Sequence, residues 1–210
     1  MKRRARWRWF AGAALLAALV FGGLTWIVLA NNNAPTAVDL NVESFVVAHR
    51  TVWLTDAMKV LTWLGSSAVL VPLSLLVGGY FLLRRRDWRP LALLGVGLGV
   101  AIFWSSLVKG LVKRPRPPLA DGIGLTFRGW AFPSGHATQS LAGWTLLAVI
   151  AAGVMRRRRW VPWAVAAVVI LVVGFSRIYL GAHWLTDVLG GWSLAAAWVL
   201  VVLTFARTRS

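Results

Sequence analysis

Apolar residues in this chain gather into six long runs separated by short polar turns. The runs cover approximately Trp9–Ala30, Val60–Leu83, Leu91–Val108, Ala137–Met155, Val161–Phe175 and Val188–Ala206. Most reach the roughly 17–25 residues that an α-helix needs to cross a bilayer. Backbone polar groups have no water to bond inside lipid, so runs of this kind are read as helices. The fifth run stops at Ser176-Arg177. It is predicted to span by continuing through these residues, whose polar groups then face protein rather than lipid. The pattern predicts an all-α polytopic membrane protein with six transmembrane helices, and shows no internal repeat beyond the alternation of helix and turn.

Between the first two runs lies a longer polar interval. Asn31-Asn32-Asn33-Ala34-Pro35 reads as a turn. Residues 36–59 then mix Leu40, Val42, Phe45, Val46, Trp53 and Leu54 with Asp39, Glu43, His49, Arg50 and Asp56. Such a mixture predicts an amphipathic segment lying on the membrane surface. His49 falls here and is expected to be an interfacial side chain.

Composition supports the membrane reading. The chain is 59% hydrophobic and only 14% charged, with mean hydropathy +0.70, so the bilayer must be most of its solvent. The formal net charge of +17 would suggest nucleic acid in a soluble chain. Here the cations cluster between apolar runs and read as a topology signal, so no nucleic-acid partner is expected. There is no cysteine, which excludes disulfide and thiolate chemistry.

Most of the 23 Lys and Arg lie in four clusters: residues 2–8, Arg84–Arg89, Arg156–Arg159, and Arg207 with Arg209. The positive-inside rule places these clusters, and both termini, in the cytoplasm. Residues 1–37 are then a cytoplasmic N-terminus, the first transmembrane helix and an external linker, and 207–210 a cytoplasmic tail. Val28-Leu29-Ala30 has the form of a weak signal-cleavage site. The apolar run before it exceeds the usual 7–15 residues of a signal peptide, so a retained helix is expected. Of the 14 Trp, many fall near run ends, among them Trp7, Trp9, Trp26, Trp88, Trp130, Trp160, Trp163 and Trp184; an aromatic belt at the interfaces explains these.

Three polar motifs interrupt the apolar pattern, and the topology brings all three to the outer side. They are Lys109-x6-Arg116-Pro117, Pro133-Ser134-Gly135-His136, and Ser176-Arg177-x5-His183-x3-Asp187. Ionisable residues at membrane depth are costly and mark function. His183 and Asp187, four apart, share one face of a helix that begins near His183. A carboxylate accepting the Nδ1 proton would leave Nε2 free to attack. A helix-end histidine, with an acid favoured by the helix dipole, accounts for the same pair.

Ser134 is a good N-cap, and the helix start behind it would present N–H groups and positive potential to an anion. Gly135 lets backbone approach a ligand closely, and His136 stands at that point, placed to protonate a leaving oxygen. A plain helix cap is the other reading. Lys109, Arg116 and Arg177 supply cations suited to phosphate, whereas Lys113 and Arg128 fit snorkelling side chains. Together the residues describe phosphate chemistry: an attacking histidine, an acid and a cation cradle. Lys113, Arg114 and Arg128 are additional cations that weakly favour a second phosphate. The segment Pro118–Phe132 forms either a wall of the site's entrance or a simple connection.

In order and spacing the three motifs resemble those of the type 2 phosphatidic acid phosphatase superfamily. That superfamily holds membrane lipid phosphatases, acid phosphatases, glucose-6-phosphatases and vanadium haloperoxidases. The short six-span chain is similar to its bacterial membrane branch, which includes phosphatidylglycerophosphatase B and undecaprenyl pyrophosphate phosphatases. The resemblance implies a lipid phosphatase catalytic domain over 38–206. It implies His183 as nucleophile through a phosphohistidine, Asp187 as its orienter, and His136 as acid and then base. It implies Lys109, Arg116, Ser134, Gly135 and Arg177 as phosphoryl-binding residues. No cofactor is expected. The motifs hold no Asp/Glu pair for a divalent metal, so metal-independent activity is expected. The expected substrate is a lipid phosphate or diphosphate, with polyprenyl diphosphate, phosphatidic acid and phosphatidylglycerol phosphate as candidates. Phosphotransfer in the same pocket, a vanadate-dependent haloperoxidase and a non-enzymatic six-span transporter are the rival readings.

Overall fold

A computed structural model describes residues 2–118 and 127–206, with the side chains of 2–8 and 156 left out of the description. The tail at 207–210 and most of the proposed entrance wall therefore lie outside the described residues. Among the described residues there are eight α-helices: α1 Lys2–Ala30, α2 Ala37–Ala48, α3 Val52–Leu61, α4 Ser67–Arg85, α5 Arg89–Val112, α6 Gly135–Val154, α7 Trp160–Tyr179 and α8 Leu185–Ala206. Six of them, all but α2 and α3, are long and apolar enough to cross a membrane. Their outer faces carry large exposed apolar side chains such as Leu76, Leu83, Leu111 and Val168, as a lipid-facing surface requires.

The central bundle is α5, α6 and α8, packed around Leu94, Ala101, Ala142, Leu146, Ala195, Val199 and Leu203. α1 lies mainly along α8, and its Val28 is fully buried in a cluster with Val112 and Phe132. α4 packs on α5, and α7 on α6. Small residues set the closest approaches. A Cβ on Gly191 of α8 would lie 2.6 Å from the Ser134 carbonyl, so α8 reaches the start of α6 only because no side chain intervenes.

Two elements differ from the run boundaries. The apolar run from Val60 is not one helix: α3 ends at Leu61, a 3-10 turn covers Thr62–Gly65, and α4 begins at Ser67. The break lies where the chain presses against α6 and α7, since a Cβ on Gly65 would sit 2.4 Å from Val173 and 3.0 Å from the His136 carbonyl. The amphipathic segment folds as two helices, α2 and α3, which pack on the ends of α7 and α8. Val46 and Met58 bury against Tyr179 and Leu180. Arg50 Nε donates to the Tyr179 carbonyl at 2.9 Å, and the Thr51 amide to the Tyr179 hydroxyl at 2.9 Å. α2 starts at a capping box: Thr36 Oγ1 accepts from the Asp39 amide, and Asp39 Oδ2 from the Thr36 amide.

Helix order decides where the motifs lie. Arg84–Arg89 joins α4 to α5, and 156–159 joins α6 to α7, at one end of the bundle. The end of α5, the start of α6, the end of α7 and the start of α8 meet at the other, under α2 and α3.

Candidate active site

The first motif ends α5 and enters a loop. Lys113 takes a left-handed conformation (φ 54°) that terminates the helix, and the prolines at 115, 117 and 118 prevent its resumption. Lys109 Nζ donates to the carbonyls of Trp130 (3.0 Å), Ala131 (3.1 Å) and Pro133 (2.6 Å), so it ties the first motif to the second. Arg116 is held by four carbonyls: Gly129 to Nε (2.9 Å), Ala182 to Nη1 (2.7 Å), and Arg128 and Trp130 to Nη2. These bonds hold the guanidinium plane in one orientation. Burial pulls its pKa below the ordinary arginine value, and the Asp187 charge offsets part of that.

The second motif caps α6 as its sequence predicts. Ser134 has extended backbone and its Oγ accepts from the Ala137 amide. The Ser134 amide donates to the Asp187 carbonyl at 2.9 Å, which ties the second motif to the third. Gly135 faces Lys109: a Cβ there would lie 3.7 Å from Lys109 Cε. His136 is half-buried in the first turn of α6, close enough to Arg177, Arg116 and Lys109 to feel their charge.

In the third motif, Ser176 and Arg177 belong to α7, which runs through them as expected. Both are buried. Arg177 Nη1 donates to Thr62 Oγ1 at 2.9 Å, and its guanidinium lies over the Phe127 ring at 5.1 Å. Its Nε is buried with no hydrogen-bond partner among the described residues. His183 sits in the turn just before α8, and Asp187 in the first turn of α8.

Arg116 Nη1 is 3.2 Å from His183 Nε2. A guanidinium can only donate, so Nε2 accepts and the ring proton is on Nδ1. Asp187 Oδ2 stands 3.5 Å from that nitrogen and also accepts from the Trp184 amide at 2.9 Å. His183 is 3% exposed. Burial, followed by the charges of Lys109, Arg177 and Arg116, lowers its pKa well below 6.5, so the imidazole is neutral at pH 7.

Three sequence readings change here. Arg114 is not a free cation for a second phosphate. It is fully buried, with Nη1 bonded to Asp187 Oδ1 (2.7 Å) and Nη2 to Asp39 Oδ2 (2.8 Å). Trp184 is not part of an interfacial belt: it is 4% exposed, donates to the Pro115 carbonyl and lies 5.9 Å beneath Arg114. Asp39, placed by its sequence on an amphipathic surface helix, is buried beside the catalytic candidates. Its partner Arg114 lies 75 residues away in the chain. His49 is exposed, its ring tilted against Phe45 at a centroid distance of 4.3 Å and its Nδ1 2.7 Å from the Phe45 carbonyl. Among the described residues, no three His, Cys, Asp or Glu gather to hold a metal ion.

Fold and site define a multi-pass membrane enzyme with two histidines and three cations converging at one end of a helical bundle. The chain belongs to the PAP2 superfamily, whose sequence profile matches residues 90–210. It is 30% identical over 188 residues to phosphatidylglycerophosphatase B of Bacillus subtilis, covering 87% of this chain and 91% of that one. It is 25% identical over 170 residues to an undecaprenyl-diphosphatase of Sulfolobus acidocaldarius, covering 77% and 76%. The fold matches the crystal structure of a transmembrane PAP2-type phosphatidylglycerolphosphate phosphatase from Bacillus subtilis with TM-score 0.85 and 27% identity, over 94% of this chain and 98% of that one. The protein is a phosphatase.

Proposed function

We propose that the protein hydrolyses a lipid phosphomonoester or diphosphate at the outer membrane interface, through a phosphohistidine on His183. One observation carries this reading: a guanidinium held by carbonyls lies at the unprotonated nitrogen of a neutral histidine whose other nitrogen faces a carboxylate. A phosphoryl group bound by Arg116 would have its phosphorus within reach of Nε2.

In the first step the Nε2 lone pair attacks phosphorus as the bond to the leaving oxygen breaks. That oxygen takes a proton from His136. Asp187 stabilises the positive charge that develops on the His183 ring. In the second step His136 takes a proton from water, the water oxygen bonds phosphorus, and the P–N bond breaks to restore His183. Lys109, Arg116 and Arg177, with Ser134 and the Gly135 amide at the start of α6, hold the phosphoryl oxygens. Three fixed cations supply the charge stabilisation that phosphoryl transfer needs, so activity survives EDTA.

The positive-inside rule orients the Arg-rich turns and both termini toward the cytoplasm and the site outward. A head group can then reach the site while its tail stays in the bilayer. The relatives act, by name, on phosphatidylglycerol phosphate and undecaprenyl diphosphate, which supports a lipid phosphate here. The test is phosphate release from phosphatidylglycerol phosphate, phosphatidic acid and a polyprenyl diphosphate, in detergent with EDTA, by wild type and His183→Ala. Release by wild type alone is expected. No release from any lipid by folded wild type would overturn the proposal, and phosphate recovered on an acceptor instead of in water would make the protein a phosphotransferase.

A further inference from the structure

The three motifs leave a buried charge cluster unused. Asp39, Arg114 and Asp187 form a chain of alternating charge, all three side chains fully buried. Arg114 Nη1 also donates to Thr186 Oγ1 at 2.6 Å. Asp39 in turn accepts from the Thr186 amide (2.9 Å), the Thr186 hydroxyl, the Thr36 amide (3.0 Å) and the Thr36 hydroxyl (3.0 Å). Asp39 comes from α2, outside the part of the chain that the superfamily profile matches. Burying two carboxylates and a guanidinium is costly unless each is paired and fully hydrogen-bonded, as they are here.

The arrangement bears on His183 in two ways. Arg114 binds only Oδ1 of Asp187, which leaves Oδ2 to the Trp184 amide and 3.5 Å from His183 Nδ1. It also neutralises Asp187, and that alone would remove the anion on which a cationic His183 depends. The groups facing His183 are otherwise positive or neutral: Lys109 of α5, Arg116 of the loop, His136 of α6 and Arg177 of α7. A second carboxylate beyond Arg114 restores a net charge of minus one to the chain.

We propose that Asp39 and Arg114 are positioning residues for the nucleophile, Arg114 aiming Asp187 and Asp39 returning the negative charge that Arg114 cancels. The proposal rests on His183 being the nucleophile and Asp187 its orienter. Asp39 is held ionised for this task. Burial would raise its pKa, but the Thr186 and Thr36 amides and Arg114 outweigh burial and keep it below the usual 3.8.

The test compares kcat and KM of folded, purified wild type, Asp39→Asn, Thr186→Val, Thr186→Ser and His183→Ala on one lipid phosphate. Asp39→Asn is expected to lose at least about tenfold in kcat with KM within about twofold, because ground-state phosphate binding does not use Asp39. Thr186→Val is expected to lower kcat in the same way, and Thr186→Ser, which keeps the hydroxyl between Arg114 and Asp39, to restore it. The Thr186 pair decides the matter if Asp39→Asn does not fold. Folded Asp39→Asn with kcat within about twofold of wild type, or Thr186→Val and Thr186→Ser of equal kcat, would overturn the proposal. An active His183→Ala would instead remove the nucleophile assignment beneath it, so the two failures are separable.

Discussion

Replacing Arg114 by methionine should destabilise the protein far more than removing an exposed cation. Met is unbranched and fills much of the arginine's volume, so the change is mainly one of charge. It removes bonds to Asp187 Oδ1, Asp39 Oδ2 and Thr186 Oγ1, and weaker ones to the Asn33 and Ala34 carbonyls. Two buried carboxylates are left without their shared cation. Breaking a buried ion pair from one side costs about 3–5 kcal/mol. For a chain of this length each kcal/mol moves Tm by about 2–4 °C, so a fall of roughly 6–20 °C is expected. Tryptophan fluorescence on heating in detergent provides the assay. Arg128→Ala, at an exposed position, serves as reference and should stay within about 0.5 kcal/mol of wild type. Adding Asp39→Asn to Arg114→Met removes one stranded charge, so the double variant should lose less than the sum of the singles by about 0.5–3 kcal/mol. An Arg114→Met protein melting within about 2 °C of wild type would refute the reasoning.

Other outcomes follow from the site. His183→Ala should abolish turnover; a residual rate above about a tenth of wild type would reject it as nucleophile, since losing a covalent nucleophile costs several orders of magnitude. His136→Ala should slow both steps, and less severely on a substrate whose leaving group needs no proton, as a comparison of lipid and aryl phosphates would reveal. EDTA should leave phosphate release unchanged; loss of activity restored by Mg²⁺ would contradict this. His183 has a folded pKa below 6.5, so its neutral, attacking form persists as pH falls through 6.5. The acid limb of kcat/KM due to this residue should therefore lie below pH 6.5 after correction for substrate ionisation. The same sign applies to stability: below pH 6.5 the unfolded chain takes up a proton that folded His183 refuses, so its contribution falls with falling pH. Melting curves of wild type and His183→Leu between pH 7 and 5 should diverge accordingly.

Six spans, the continuation of α7 through Arg177 and the Ser134 cap were legible because each depends on local pattern: run length, capping chemistry and hydropathy. The break between α3 and α4 was not, because it is set by contact with Val173 and His136 rather than by Thr62–Ser67 alone. Arg114 read as a spare cation because a guanidinium two residues from a phosphate-binding candidate looks the same whether it meets solvent or Asp39. Asp39 read as a surface acid because its helix is amphipathic and its partners, Arg114 and Thr186, are remote in the chain. Trp184 read as an interfacial tryptophan for the same reason, its burial being decided by Pro115 and Arg114. Long-range pairing of polar residues carries no periodicity for the sequence to display.

The central claim is covalent transfer of a phosphoryl group to His183. Enzyme mixed with a ³²P-labelled lipid phosphate, quenched in alkaline detergent within the first turnovers and digested for mass spectrometry, tests it directly. The account predicts label on His183 in wild type and none in His183→Ala. Rapid hydrolysis by wild type with no label on His183 would contradict it.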